Sequence, residues 1–361
     1  MKRILSLILL STICGISLSA ADLNWKRVEA YELNLCGKAF DTPNPYHRVD
    51  TDVHNGFVGH EIEQCHVPAG LTVLFKTNAD RIGVSIEFGD YVRKSSWCAY
   101  RGFDLYFNVD GKWEWAGSTT FDFFDNNSGK VKDIVANMDG SMKECLLFLP
   151  IYAELDRLQI CVPEGSEISP MPSPFRHKIV FHGSSFTQGV SLSRSGMGYA
   201  SQFMRNTGMQ VINLGYGGNC KMQSYFADLL EKIDADAYVL DPFSNPDIPM
   251  IRERLEPFIA RLVKAHPGKP IIVQRTIYWE KENFDRAAQA EYGGRRALTD
   301  SLMPILCKRY KDVYYIKPDA AIHNGQSSTA DGIHPNDNGY SIWEASIEKP
   351  ILKILRRYGI K

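Results

Sequence analysis

Strand–helix alternation across residues 178–358 restricts the architecture of this chain more than any other feature. Short apolar runs at 179–181, 211–214, 238–240, 271–273 and 313–316 are separated by helix-like stretches near 196–207, 222–233, 249–265 and 283–310. Short continuous apolar runs suit strands covered on both faces, and their alternation with helices predicts a parallel sheet sandwiched between helical layers. A last helix near 339–358 carries Ile347, Ile351, Leu355 and Tyr358 at helical spacing. Pro350 inside it is expected to kink or split it.

The first half follows a different period. Over 81–88, Ile82, Val84, Ile86 and Phe88 alternate with Arg81, Gly83, Ser85 and Glu87, the pattern of a half-buried strand. A second alternating run, 103–109, meets Asp110-Gly111, a hairpin turn signal, and returns through 112–115. Leu158, Ile160 and Val162 close a last strand. Short strands with turn residues between them predict an antiparallel sandwich. The stretch 163–174 holds Pro163, Gly165, Pro170, Pro172 and Pro174 and reads as a linker. The expected domains are therefore 22–165 and 175–361, and 361 residues leave each enough chain for its own core.

Net charge is −1 and no basic stripe is present, which argues against a nucleic-acid partner. Residues 1–21 have the build of a signal peptide: Lys2 and Arg3, then an apolar stretch over 4–16, then Ser19-Ala20-Ala21 for cleavage. The apolar stretch is short for a bilayer span, so a secreted or periplasmic chain with no stable membrane span is expected, the alternative being an N-terminal anchor helix. Apart from Cys14, seven cysteines remain, with no CxxC spacing that would suggest zinc. An odd number leaves at least one thiol free or bridged between chains, and no pairing can be assigned.

Ligands of open α/β sheets gather beyond the carboxyl ends of the strands, and four groups of polar residues fall there. The first strand runs into Gly183-Ser184-Ser185-Phe186-Thr187-Gln188-Gly189, a serine on a tight turn. The second ends in Asn213-Leu214-Gly215-Tyr216-Gly217-Gly218, where a glycine backbone can present an N–H to an oxyanion. The third ends in Asp241-Pro242-Phe243-Ser244-Asn245-Pro246, with Asn245 able to add a side-chain N–H. Near the end comes Asp331-Gly332-Ile333-His334-Pro335, a histidine with a carboxylate three residues before it. Each group alone also reads as an ordinary turn; their order along one sheet is what carries the chemistry.

Taken in that order, the blocks resemble those of the SGNH/GDSL hydrolases, with Ser185, Gly218, Asn245 and His334 in the four positions that give the family its letters. Gly102-Phe103-Asp104-Leu105-Tyr106 further resembles the signature of a subfamily whose catalytic domain follows a GxDLY β domain. The resemblance implies a flavodoxin-like three-layer α/β domain behind a jelly-roll-like β-sandwich, and a serine esterase. In that reading His334 takes the proton of Ser185, Asp331 orients His334, and the backbone N–H groups of Ser185 and Gly218 with the Asn245 side chain hold the oxyanion. No metal or organic cofactor is implied. The implied substrate is a small-molecule or polysaccharide ester, with an O-acetylated carbohydrate favoured by export and the β domain. A lipid or thioester acylhydrolase and an inactive glycan-binding protein are the alternatives. Two blocks depart from the family: Ser184 stands where it has Asp, and Asn245 has lost its usual neighbours. Tyr278 and Trp279, after the fourth strand, are candidates for stacking on a sugar, or else packed rim residues.

Overall fold

The structure is a computed structural model that describes residues 24–92, 97–122, 129–318 and 327–361. The expected signal segment and Cys14 lie outside the described residues, as does the Cys98 side chain. The first half forms two antiparallel sheets. One has the order β1 (Trp25–Glu29), β9 (Ala153–Pro163), β4 (Ile82–Val92), β7 (Val131–Val135). The other runs β10 (Ile168–Pro170), β3 (Thr72–Thr77), β8 (Lys143–Phe148), β5 (Gly102–Val109), β6 (Lys112–Thr120), with β2 (Asn34–Cys36) also paired to β3. The alternating residues Ile82, Val84 and Ile86 are buried against Val73, Phe75, Phe103, Leu105 and Leu147 of the facing sheet. The β5–β6 turn is made by Asp110 (φ 51°) and Gly111 (φ 83°), the left-handed pair that a two-residue hairpin turn needs.

The second half holds a five-stranded parallel sheet of order β12 (Met209–Gly215), β11 (Arg176–Gly183), β13 (Ala237–Asp241), β14 (Ile271–Gln274), β15 (Val313–Ile316). Counted within this sheet the order is 2-1-3-4-5, the flavodoxin-like arrangement, and the strand order reverses at β11. Side chains alternate between two cores. Ile179, Phe181, Val211 and Val239 pack with α4 (Tyr199–Thr207) and α8 (Asp337–Leu355). Val180, Ile212, Tyr238 and Leu240 pack with α5 (Ser224–Leu230), α6 (Ile248–Ala265) and α7 (Arg286–Arg309). Three shorter helices complete the chain: α1 (His60–His66), α2 (Trp97–Tyr100) and α3 (Ser185–Gln188). Among the described residues no helix is long and apolar enough to cross a membrane.

Two expectations change. Pro350 lies inside α8, which is not split. A proline in a helix costs about 3 kcal/mol, and the buried Ile347, Ile351 and Ile354 on either side of it offset that cost. The stretch read as a linker is not all linker: Ile168, Ser169 and Pro170 pair with Thr77, Lys76 and Phe75, and Met171 is buried. Proline fits there because β10 is an edge strand.

The β sandwich is bound to the α/β half by an apolar face. Leu74, Tyr106, Leu146 and Phe148 alternate with the inward residues of β3, β5 and β8 and join the core that contains Phe181, Phe186 and Phe203. The central strands of that sheet are thus buried on both faces. Trp113 packs on Phe175 at this junction (ring centroids 5.9 Å apart), while Trp115 is half exposed and donates its indole N–H to Asp104 (2.9 Å). Among the described residues Cys36, Cys65, Cys145, Cys161, Cys220 and Cys307 are free thiols.

Candidate active site

The reversal of strand order puts the ends of β11 and β13 side by side, and their residues build the centre of the site. β11 stops at Gly183, where a methyl group would lie 2.1 Å from Thr187 Oγ1 and 2.8 Å from Asp241 Cβ. Only glycine lets the chain turn this tightly into α3. Ser184 caps that helix, its hydroxyl accepting from the Phe186 N–H (3.2 Å), and the next residue, Ser185, opens onto solvent at the strand end.

Ser185 Oγ lies 3.0 Å from His334 Nε2. On the other side of the ring, His334 Nδ1 lies 2.7 Å from Asp331 Oδ2. The remaining Asp331 oxygen accepts from the backbone N–H of His334 (2.7 Å) and of Ile333 (3.0 Å). Partial burial works against the Asp331 charge, but these hydrogen bonds and the imidazole outweigh it and hold its carboxyl below the ordinary value. The carboxylate is therefore ionised near neutrality. It directs the Nδ1 proton toward itself and leaves Nε2 as the lone pair facing the serine hydroxyl. The histidine loop is braced from two sides: Ala330 N–H donates to the His334 carbonyl (2.9 Å) and Lys281 N–H to that of Gly332 (2.9 Å).

Two donors stand around the serine turn. The Gly217 N–H is taken by Gln188 Oε1 (2.9 Å). Gly218 follows in a left-handed conformation (φ 78°), is exposed, and among the described residues no protein acceptor takes its N–H. The amide oxygen of Asn245 accepts from the Cys220 N–H (3.2 Å). That bond fixes the side-chain orientation and leaves the NH2 end as the donor. If Asn245 holds an oxyanion, Asn245→Ala should lower kcat by about a hundredfold or more with little change in KM. Steady-state kinetics on a chromogenic acetate ester would decide it: an unchanged kcat, or a loss confined to a raised KM, would count against the role.

Asp241 supports the site from behind, a role that no local pattern of the sequence assigns to it. It is buried at the end of β13, directly behind the Ser185 turn. Its Oδ2 accepts from Ser184 Oγ (2.8 Å), and its Oδ1 accepts from Ser244 Oγ (3.2 Å). The carboxylate absent at position 184 is thus present on the neighbouring strand, and Ser184 relays it to the helix cap. A charged residue ending the otherwise apolar run 238–240 was the available signal. Burial pushes the Asp241 carboxyl up to about 6, against the pull of the Ser184 and Ser244 hydrogen bonds. The folded chain therefore holds this proton more tightly than the unfolded chain does. The stability Asp241 contributes is fully present below about pH 4 and is lost as pH rises through about 6. Urea unfolding of Asp241→Asn should show the variant gaining on the parent chain over that interval; a constant difference from pH 4 to 7 would refute the assignment.

The N-terminal half supports the second strand end. Arg48, buried, donates from Nη1 to the carbonyls of Asn213 (3.1 Å) and Gly215 (3.0 Å). Gln64 donates to the Gly217 carbonyl (2.9 Å), and its own oxygen accepts from Asn219 (3.0 Å). The sequence offered no sign that residues 48–64 hold the Gly218 turn. The GxDLY signature has a similar meaning: Asp104 is fully buried and accepts from Tyr106 OH (3.0 Å), Trp115 Nε1 (2.9 Å), Arg194 Nη1 (3.1 Å) and the Gly196 N–H (3.0 Å).

The aromatic candidates sit elsewhere in character. Trp279 is buried against Tyr292, with ring centroids 3.8 Å apart, and its ring is packing rather than an open platform. Tyr278 is half-buried, donates to Asn283 (2.9 Å) and lies under the Arg296 guanidinium. The buried Glu282–Arg296 ion pair fixes the loop that carries them.

Residues 176–353 match the model of the GDSL-like lipase/acylhydrolase family, and residues 23–168 match that of the GxDLY family, the N-terminus of SGNH-hydrolase-type esterases. A protein of Bacteroides ovatus described as a GDSL-like lipase is 36% identical; the similarity covers 92% of this chain and 98% of that one, with a TM-score of 0.86. The salicylyl-acyltransferase SsfX3 of a tetracycline biosynthetic pathway is 16% identical over 91% of this chain and 97% of its own, with a TM-score of 0.66. A family two carbohydrate esterase of Clostridium thermocellum, in complex with cellohexaose, is 14% identical over 80% of this chain and 93% of its own, with a TM-score of 0.56. At these last two identities the likeness is one of fold. No curated protein matches the chain.

Proposed function

Because the chain belongs to the GDSL-like lipase/acylhydrolase family, we propose that it is an exported serine esterase that removes short acyl groups, above all O-acetyl, from carbohydrate. The observation that carries the reading is the contact of 3.0 Å between Ser185 Oγ and His334 Nε2, with Asp331 on the far nitrogen.

In the proposed reaction His334 takes the Ser185 proton as the hydroxyl attacks the ester carbonyl. In this reading the tetrahedral oxyanion is met by the N–H groups of Ser185 and Gly218 and by the Asn245 amide. Collapse expels the alcohol, which takes its proton from His334, and leaves an acyl-serine. Water then attacks the acyl carbonyl as it gives its proton to His334, and collapse releases the acid while Ser185 Oγ takes that proton back from His334. Asp331 keeps the imidazolium in place through each transfer and stays ionised. Every step is supplied by side chains and backbone of this chain, with no cofactor.

The carbohydrate part of the proposal draws on the fold shared with a family two carbohydrate esterase that was seen with cellohexaose. The short acyl group draws on the lack of an extended apolar lid segment among the described residues of 176–361. The test is acetate release from a panel of acetylated polysaccharides, run beside nitrophenyl esters of increasing chain length. Acetate release with a maximum at the shortest esters is the expected result. A maximum at long acyl chains, with no polysaccharide deacetylated, would favour the lipid or thioester reading instead.

A further inference from the structure

Away from the serine site, three side chains of the N-terminal half converge on one point. His47 Nε2 lies 2.8 Å and His66 Nδ1 3.4 Å from the same oxygen, Oε1 of Glu154. The two imidazoles are stacked, with centroids 4.1 Å apart and planes within 9° of parallel. One donor atom from each residue falls within 4.8 Å of the others. Two imidazoles with one carboxylate on a single point are the donor set of three-ligand zinc sites. We propose that His47, His66 and Glu154 bind one divalent transition metal ion of the zinc class, with a fourth position left to water.

Metal–ligand bonds of about 2.0–2.1 Å place tetrahedral donors about 3.3 Å apart. The contacts of the two imidazoles with Glu154 Oε1 already span 2.8 and 3.4 Å; ligation further requires the stacked rings to turn so that their in-plane lone pairs converge on the ion. Both imidazoles already turn a ring nitrogen toward the Glu154 carboxylate. A cation is favoured here by the Glu154 carboxylate that both imidazoles face and opposed by Lys38 near His47, whose ammonium donates to the Pro45 carbonyl (2.8 Å) and to the Thr42 hydroxyl.

The ligands come from three separate segments, and that suggests what the ion would do. His47 precedes Arg48 and His66 follows Gln64 by two residues; these are the side chains that hold the carbonyls beside Gly218. The two segments are already tied by Arg48 N–H to the Cys65 carbonyl (2.8 Å). Glu154 lies at the start of β9 in the sandwich. An ion shared among them clamps the braces of the oxyanion turn to the β sandwich. Its role is structural and leaves the serine chemistry unchanged.

The experiment uses the full chain, stripped with chelator and titrated with Zn2+ alone. Calorimetry should give one ion per chain, and saturating Zn2+ should raise the melting temperature by roughly 4 °C or more. His47→Gln and Glu154→Gln should each abolish both effects. Co2+ in place of Zn2+ should give visible d–d absorption in the parent chain, a readout that does not depend on any variant folding. An absence of stoichiometric binding in the parent chain, or the same binding in His47→Gln, would overturn the proposal.

Discussion

Purified Ser185→Ala protein should hydrolyse nitrophenyl acetate at least about a thousandfold more slowly than the parent chain, with an unchanged melting temperature. The size follows from what the hydroxyl does. A nucleophile and its base act as a unit, so removing either one removes the covalent route and leaves only binding and oxyanion stabilisation. Ser185 is half-buried on the solvent side of its turn, and its Oγ makes its hydrogen bond to His334. The helix cap behind it is the work of Ser184 and Asp241, so the alanine disturbs no structural bond. His334→Ala should fall by a similar factor, and the double variant should lose little more than either single one. A fluorophosphonate should label the parent chain and not Ser185→Ala. Retention of near-parental hydrolysis in Ser185→Ala would end the serine-esterase assignment.

The second large effect is on stability. Asp104→Ala should cost about 3–5 kcal/mol, because it leaves the Arg194 guanidinium, the Gly196 N–H and two aromatic donors without the acceptor around which they are arranged. Asp104 lies on β5 of the sandwich, whereas Arg194 and Gly196 lie in the loop between the nucleophile turn and α4. The loss therefore falls on the joint between the two halves. Ser195, donating to the Gly102 carbonyl (3.1 Å), and Arg205, stacked 4.2 Å from the Tyr106 ring centroid, share that joint. Thermal unfolding should begin roughly 6 °C or more below the parent chain. A melting curve identical to the parent's would show that the signature's aspartate is not what couples the domains.

How far the site could be read from residues alone depended on range. Ser185, Gly218, Asn245 and His334 stand beyond strand ends that the apolar runs mark, and Asp331 lies in the same short loop as His334. Local spacing is enough to find such residues. Asp241 could be seen as a charge ending an apolar strand, but its contact with Ser184 comes from the lateral pairing of β11 with β13, which no local pattern encodes. Trp279 was a reasonable candidate by position. Its burial came from Tyr292 on α7, a contact across 13 residues that periodicity does not report.

Sequence alone determined the order of the elements, the change from a period of two to strand–helix alternation near residue 176, and the chemical types at the strand ends. These depend on side-chain periodicity and on turns spanning a few residues. Tertiary structure decided the rest: that β10 pairs with β3, that the central strands of the six-stranded sheet are buried on both faces, that Arg48 and Gln64 hold the carbonyls around the Gly218 turn, and that His47 and His66 meet Glu154. The bonded pairs among these, from His66–Glu154 to Arg48–Gly215, join residues 88 to 167 apart in the chain. Their formation depends on the packing of whole faces, a property that belongs to the assembled chain and to no single stretch of it.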